Sequence, residues 1–298
     1  MSNAVAAPPM APRASSRRGG PRAVILDLSS RLLFHVVMLA GCVVVLVPFV
    51  WMISSSFKTA ADVIAFPPSW LPNPIVMDNY PQSLSILPMG TAYFNSFKIS
   101  TLDTIGGLIT CSMAAYAFAR LRFPGRDGLF FVILATLMIP QEVSLIPLYI
   151  LFKQIHMIDT HWPLILPPVF QNPYGIFLLR QFFRTIPVEL EEAARIDGAN
   201  PWTIYTRIIL PLAVPALVTL GIFIFLYNWN QFLTPLIYLN STENFTVPLL
   251  LSSYLSDYGS EWGLLMAACT IAMAPLIVVY ALGQRYFIEG IALSGLKG

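Results

Sequence analysis

Polar side chains are scarce in this chain, and several stand inside long apolar runs. Gln141 and Glu142 interrupt one run, Asn172 sits beside Pro173 in another, and Asn228, Trp229 and Asn230 close a third. Polar groups at membrane depth are costly and therefore candidates for contact with a polar solute. Amides donate to and accept from hydroxyl groups, carboxylates accept from them, and an indole ring stacks on an apolar ring face. These six residues are accordingly read as candidate pathway-lining groups for a hydroxyl-rich solute. The competing role for each is interhelical packing, in which the side chain satisfies backbone groups freed at proline kinks. Asp103 falls in a further apolar run, close enough to its end to be read as simply hydrated.

Catalytic chemistry finds no support. There is no G-x-x-x-x-G-K-[ST] segment to cradle a nucleotide, and His35, His156 and His161 lack the spacing of a metal site. Cys42, Cys111 and Cys269 lie in separate apolar runs and read as buried thiols. The serines inside those runs have no base at recognisable spacing. No catalytic, cofactor-binding or metal-ligating residue is therefore expected.

The elements that would position the polar groups follow from composition. The chain of 298 residues is 56% hydrophobic and 11% charged, with mean hydropathy +0.70. Charged residues make up about a quarter of a typical soluble protein. An all-α integral membrane protein is expected, and a net charge of +2 gives no reason to invoke nucleic acid. Residues 1–31, rich in Ala, Pro, Ser and Arg, read as a disordered tail. The apolar run 32–53 is too long for a cleavable signal and long enough to span a bilayer. Further spans are expected over 93–119, 128–152, 162–183, 205–229 and 263–284, with Pro140 and Pro147 inside the second of these and Pro167, Pro168 and Pro173 inside the third. Segments 54–92 and 230–262 become long loops on one side. All thirteen arginines fall in segments that lie on the opposite side if six helices alternate. By the positive-inside rule both termini are then cytoplasmic.

One charged stretch on that arginine-bearing side is built differently. Residues 187–211 read PVELEEAARIDGANPWTIYTRIILP. Pro187 suits the start of a helix, and Glu189, Glu191 and Glu192 place negative charge where the helix dipole favours it. Glu189 and Glu191 read equally as solvated helix-start acids or as part of a docking device. Gly198 suits a helix stop, and Asn200-Pro201 an N-cap followed by a first helical residue. The segment predicts helix, sharp turn, helix.

Glu192-Ala193-Ala194, Gly198 and the later Ile208-x-Leu210-Pro211 resemble the EAA loop of ABC importer permeases. FNSFKIS, AYAFARLRFPGRD, GIFLLRQFF, WNQFLTPLIYL and QRYFIEGIALSGLKG extend the likeness over residues 32–298, and it is strongest to the second permease subunit of maltose-type carbohydrate importers. The resemblance implies a type I importer permease fold: six kinked transmembrane helices over 32–298, with a cytoplasmic coupling loop at 185–204. It implies that Glu192, Ala193, Ala194, Asp197 and Gly198 dock on an ATPase dimer, which alone binds ATP. A homologous permease would complete the pathway in the lipid bilayer of the bacterial inner membrane, and an extracytoplasmic sugar-binding protein would meet the loop at 230–262. In maltose-type systems the sugar site lies mainly in the partner permease. The C-terminal SGLKG, with Lys297, is a further candidate for ATPase contact. The alternatives are the same scaffold carrying glycerol phosphate or another polyol derivative, and a self-sufficient secondary transporter. The second would require internal repeats that the sequence lacks.

Overall fold

A backbone withdrawn from water must satisfy its own hydrogen bonds, so apolar runs of this length fold as helices. The computed structural model describes residues 21–257 and 261–295, with side chains over 30–254 and 261–285. Among the described residues there is no strand. In chain order the helices are α1 (Pro21–Ser55), α2 (Ala60–Val63), α3 (Asn79–Ile86), α4 (Met89–Arg120) and α5 (Arg126–Ala135). Next come α6 (Gln141–Gln154), α7 (Trp162–Phe170), α8 (Pro173–Phe183), α9 (Glu189–Ile196) and α10 (Pro201–Ile204). A π-helical stretch, Tyr205–Ile209, leads to α11 (Leu210–Leu212). The chain ends with α12 (Val214–Trp229), α13 (Leu233–Tyr238), α14 (Val247–Asp257) and α15 (Trp262–Gly295). It divides into two units, Met1–Trp51 and Met52–Gly298.

Among the described residues three helices are long and apolar enough to cross a membrane: Ser30–Ser55, Met89–Arg120 and Trp262–Arg285. Two broken pairs, Arg126–Met138 with Gln141–Gln154 and Pro201–Leu212 with Val214–Trp229, bend by 96° and 78° and raise the number to five if each is one span. The chain is thus a multi-pass membrane protein, but six continuous spans do not describe it. The expected helix at 162–183 is two helices of 9 and 11 residues, each shorter than the roughly 20 residues a span needs. Proline explains the breaks. Ile139, held extended before Pro140, ends the first half of its pair. Asn172, likewise outside helical geometry before Pro173, separates α7 from α8. Helix α1 begins eleven residues earlier than the apolar run; residues 1–20 and the C-terminal 296–298, including Lys297, lie outside the described residues.

Helix α4 is the central post of the larger unit, packing against α7, α8 and α12. Its approach to α7 is close enough that a Cβ on Gly106 would sit 2.7 Å from a methyl of Val169. One buried cluster, with Ala115, Leu179, Phe183, Ile204 and Ile209, joins the C-terminal half of α4 to α8 and the residues after α9. A second, with Met89, Trp229, Leu250, Tyr254 and Ala268, occupies the other end. The segment 54–92 is built into that end: Lys58 is fully buried, its ammonium donating to the Ser69 carbonyl, and the Asn79 amide donates to the carbonyls of Ser56 and Lys58 at 2.8 Å.

The turn between α6 and α7 is tied to the residues after α13 by one carboxylate. Half-buried Asp159 accepts from the backbone N–H groups of Asn240 and Ser241, both at 2.9 Å, from the Ser241 hydroxyl, and from the Asn244 amide at 3.2 Å. Burial pushes its pKa up, but these hydrogen bonds outweigh burial and hold it below the ordinary carboxylate value. A depressed pKa stabilises the fold above the unfolded value, near 4, and that stabilisation fades as pH falls through the lower folded value. Asp159→Ala is expected to lower stability at pH 7 by about 1–3 kcal/mol. In thermal unfolding in detergent the gap from wild type should close as pH falls below about 4. A gap constant down to pH 3 would refute the latch.

Candidate functional site

Helices α4, α6, α7, α8, α12 and α13 surround a cavity of about 1000 Å³. Three of the six candidate pathway residues line it: Gln141, Asn172 and Asn228. The Gln141 side-chain carbonyl accepts from the Tyr227 hydroxyl at 2.7 Å. Asn172 caps α8, its side-chain oxygen accepting from the Gly175 N–H at 2.8 Å, so it satisfies freed backbone and faces the cavity at once. The Asn228 amide donates to Asp103 Oδ2 and to the Ile224 carbonyl at 3.0 Å.

The other three are placed elsewhere. Trp229 is 3% exposed in the second core cluster, where its indole N–H donates to the Ala272 carbonyl at 3.3 Å; it packs against Phe225 and Tyr93. Asn230 turns back to the Leu226 carbonyl at 2.7 Å, and Glu142 is an exposed residue in the first turn of α6. Neither lines the cavity. Asp103, read as a hydrated residue, is 1% exposed and lines the wall, with Oδ1 lacking a hydrogen-bond partner among the described residues. Sequence reading also passed over Tyr174, Tyr227, Gln171 and Gln231 on the same wall. Their types would have suggested sugar contact, but aromatic residues are too common here, 13% of the chain, to be singled out without a structure.

At the arginine-bearing end of α4 stands the α9 hairpin. Gly198 has φ +85°, and the turn closes with Ala199 N–H to the Ala194 carbonyl at 2.9 Å and Gly198 N–H to the Arg195 carbonyl at 3.0 Å. That is the Schellman pattern, which needs a left-handed residue after the helix. Asn200 caps α10, its side chain accepting from the Thr203 N–H at 2.8 Å. Glu192, Ala193, Asp197 and Gly198 are exposed, while Ala194 is half-buried against the first core cluster. Leu190, Ile196 and Trp202 add exposed apolar surface, Ile196 at 87%. Glu191 is not solvated: its side chain is 3% exposed and lies 2.8 Å from the Arg120 guanidinium. Among the described residues no group of three or more His, Cys, Asp or Glu could hold a metal ion.

The exposed hairpin stands at the Arg120 end of α4 and the cavity is lined by the Ser96–Asp103 part of the same helix. Residues 106–292 match the model of the binding-protein-dependent transport system inner membrane component family. The chain belongs to that family. The arabinooligosaccharides transport system permease protein AraQ of Halalkalibacterium halodurans is 34% identical, over 84% of this chain and 91% of its own. The sn-glycerol-3-phosphate transport system permease protein UgpE of Brucella abortus is also 34% identical, over 88% and 96%. In a crystal structure of a bacterial ABC transporter involved in alginate import, one chain superposes with TM-score 0.74 at 24% identity, covering 90% of this permease and 99% of that chain. This last likeness establishes the type I importer permease fold. As a permease of a binding-protein-dependent system, the chain is a transport subunit, and the secondary-transporter reading is set aside.

Proposed function

We propose that this permease forms the translocation pathway of an ATP-driven sugar importer together with a homologous permease. On this reading α9 seats on a separate ATPase dimer, ATP is bound there alone, and both chain termini are cytoplasmic. An extracytoplasmic binding protein delivers cargo to the opposite face. Six spans are completed by counting α7 with α8 as one crossing.

The observation that carries the choice of cargo is the cavity lining. It offers amides, hydroxyls, aromatic rings and one carboxylate, with no Lys or Arg among the lining residues. AraQ and UgpE are equally identical to this chain, so identity alone does not separate sugar from glycerol phosphate. Charge does: a phosphate dianion calls for paired cations, and here it would meet Asp103 instead. A neutral saccharide needs only hydrogen bonds and ring faces.

The test is purification of this chain from native membranes in a mild detergent and identification of what accompanies it. An ATPase recovered at twice the copy number of this chain, with a second permease, supports the reading. Recovery of the chain alone, under conditions that preserve a reference complex, would overturn it. The purified assembly should then take up a neutral oligosaccharide in preference to glycerol phosphate.

A further inference from the structure

The hairpin and the cavity lie at different levels of the same helix, and one ion pair joins the hairpin to that helix. Arg120 is the last residue of α4 and Glu191 the third of α9. Their side chains are 7% and 3% exposed, and Nε lies 2.8 Å from Oε1 without the alignment of a hydrogen bond. The same guanidinium donates through Nη2 to the Phe183 carbonyl at 2.6 Å and to the Ile186 carbonyl. These carbonyls belong to the end of α8 and the turn after it, where helix ends leave acceptors without intrahelical donors. The other Glu191 oxygen lies 3.8 Å from Arg195, one turn along α9. One planar group therefore holds α4, the end of α8 and α9 together. Glu191 is the buried residue of α9.

Stability does not explain this choice. Two charges withdrawn from water gain little over a well-packed apolar pair of the same size. What a guanidinium adds is direction, since its fork engages several acceptors in fixed geometry. The cavity end of the same rigid helix is close: seventeen residues separate Asp103 from Arg120, roughly 25 Å at 1.5 Å per residue. Along that length α4 is uninterrupted.

We infer that Arg120 and Glu191 are positioning residues for energy coupling, delivering displacement of α9 to α4 and so to the cavity wall. This rests on the proposed docking of α9 on an ATPase. The pair links two elements that the transport cycle must move together, and an apolar replacement would hold α9 in place without fixing its direction.

The experiment uses the whole transporter, co-purified and reconstituted in proteoliposomes with its binding protein, and reads solute taken up per ATP hydrolysed. Arg120→Met combined with Glu191→Leu is expected to assemble and hydrolyse ATP, while uptake per ATP falls about tenfold, within the usual range of coupling between sites. Should that variant assemble poorly, Glu191→Gln, which keeps shape and removes charge, is read by the same ratio. A ratio unchanged in an assembled variant, whatever the absolute rates, would overturn the inference, because a merely structural role lowers hydrolysis and uptake together. A wild-type complex that hydrolyses ATP without driving uptake would instead sink the docking reading beneath it, so the two failures are distinguishable.

Discussion

Replacing Gly198 with aspartate is expected to abolish uptake while leaving the protein in the membrane. Within the chain the change is mild. A Cβ at Gly198 meets nothing within 4 Å, and the strain arises from φ +85° alone. A left-handed non-glycine residue costs about 1–2 kcal/mol, with aspartate among the better tolerated. That is small against the roughly 5–15 kcal/mol that holds a domain folded. On the proposed docking of α9, that same open space faces the ATPase. Aspartate there adds a charge beside Asp197 on a hairpin that already exposes Glu189 and Glu192. Like charges or an unpaired desolvated charge at an interface cost several kcal/mol, about a hundredfold or more in assembly. Gly198→Ala carries the backbone strain without the charge and should retain part of the uptake. The measurement is solute uptake normalised to membrane-inserted chain. Wild-type uptake from Gly198→Asp would remove the coupling role from α9.

The hairpin was legible because its signals are local. Proline, glycine and asparagine each fix a backbone geometry at their own position, and Gly198 and Asn200 both take the conformation their types demand. The apolar runs located helices for the same reason, with the run at 93–119 falling inside Met89–Arg120. What local signals do not carry is which face of a helix looks where. In a segment apolar on all sides, no periodicity tells core from cavity, so Trp229 and Asn228, adjacent in sequence, were given one role and point to different surroundings. Glu191 shows the same limit, since its two readings stay open in the sequence. Acids in a first helical turn are usually solvated, and only the distant Arg120 turns this one inward. Proline also said where helices break but not by how much, and α7 and α8 became two helices rather than one kinked span.

Asp103 supplies the second large effect. A carboxylate at membrane depth is expensive, and this one is only half satisfied, with Asn228 donating to Oδ2 and Oδ1 unpartnered among the described residues. Removing it releases Asn228, whose amide still reaches the Ile224 carbonyl at 3.0 Å, and relieves a buried carboxylate. Asp103→Leu should therefore leave the thermal midpoint in detergent unchanged or raised. Transport should respond in the opposite sense. A hydrogen bond from a cargo hydroxyl to a carboxylate contributes about 1.5–3 kcal/mol, so its loss lowers uptake about 10- to 100-fold. Asp103→Asn keeps an acceptor without the charge and should fall between. A raised half-saturating cargo concentration would assign the carboxylate to cargo already seated in the cavity. A fall in maximal rate alone would assign it to a step after binding. Asp103→Leu with wild-type uptake would return the Asp103–Asn228 pair to helix packing, and the case for a neutral cargo would then rest on the absence of cations from the lining alone.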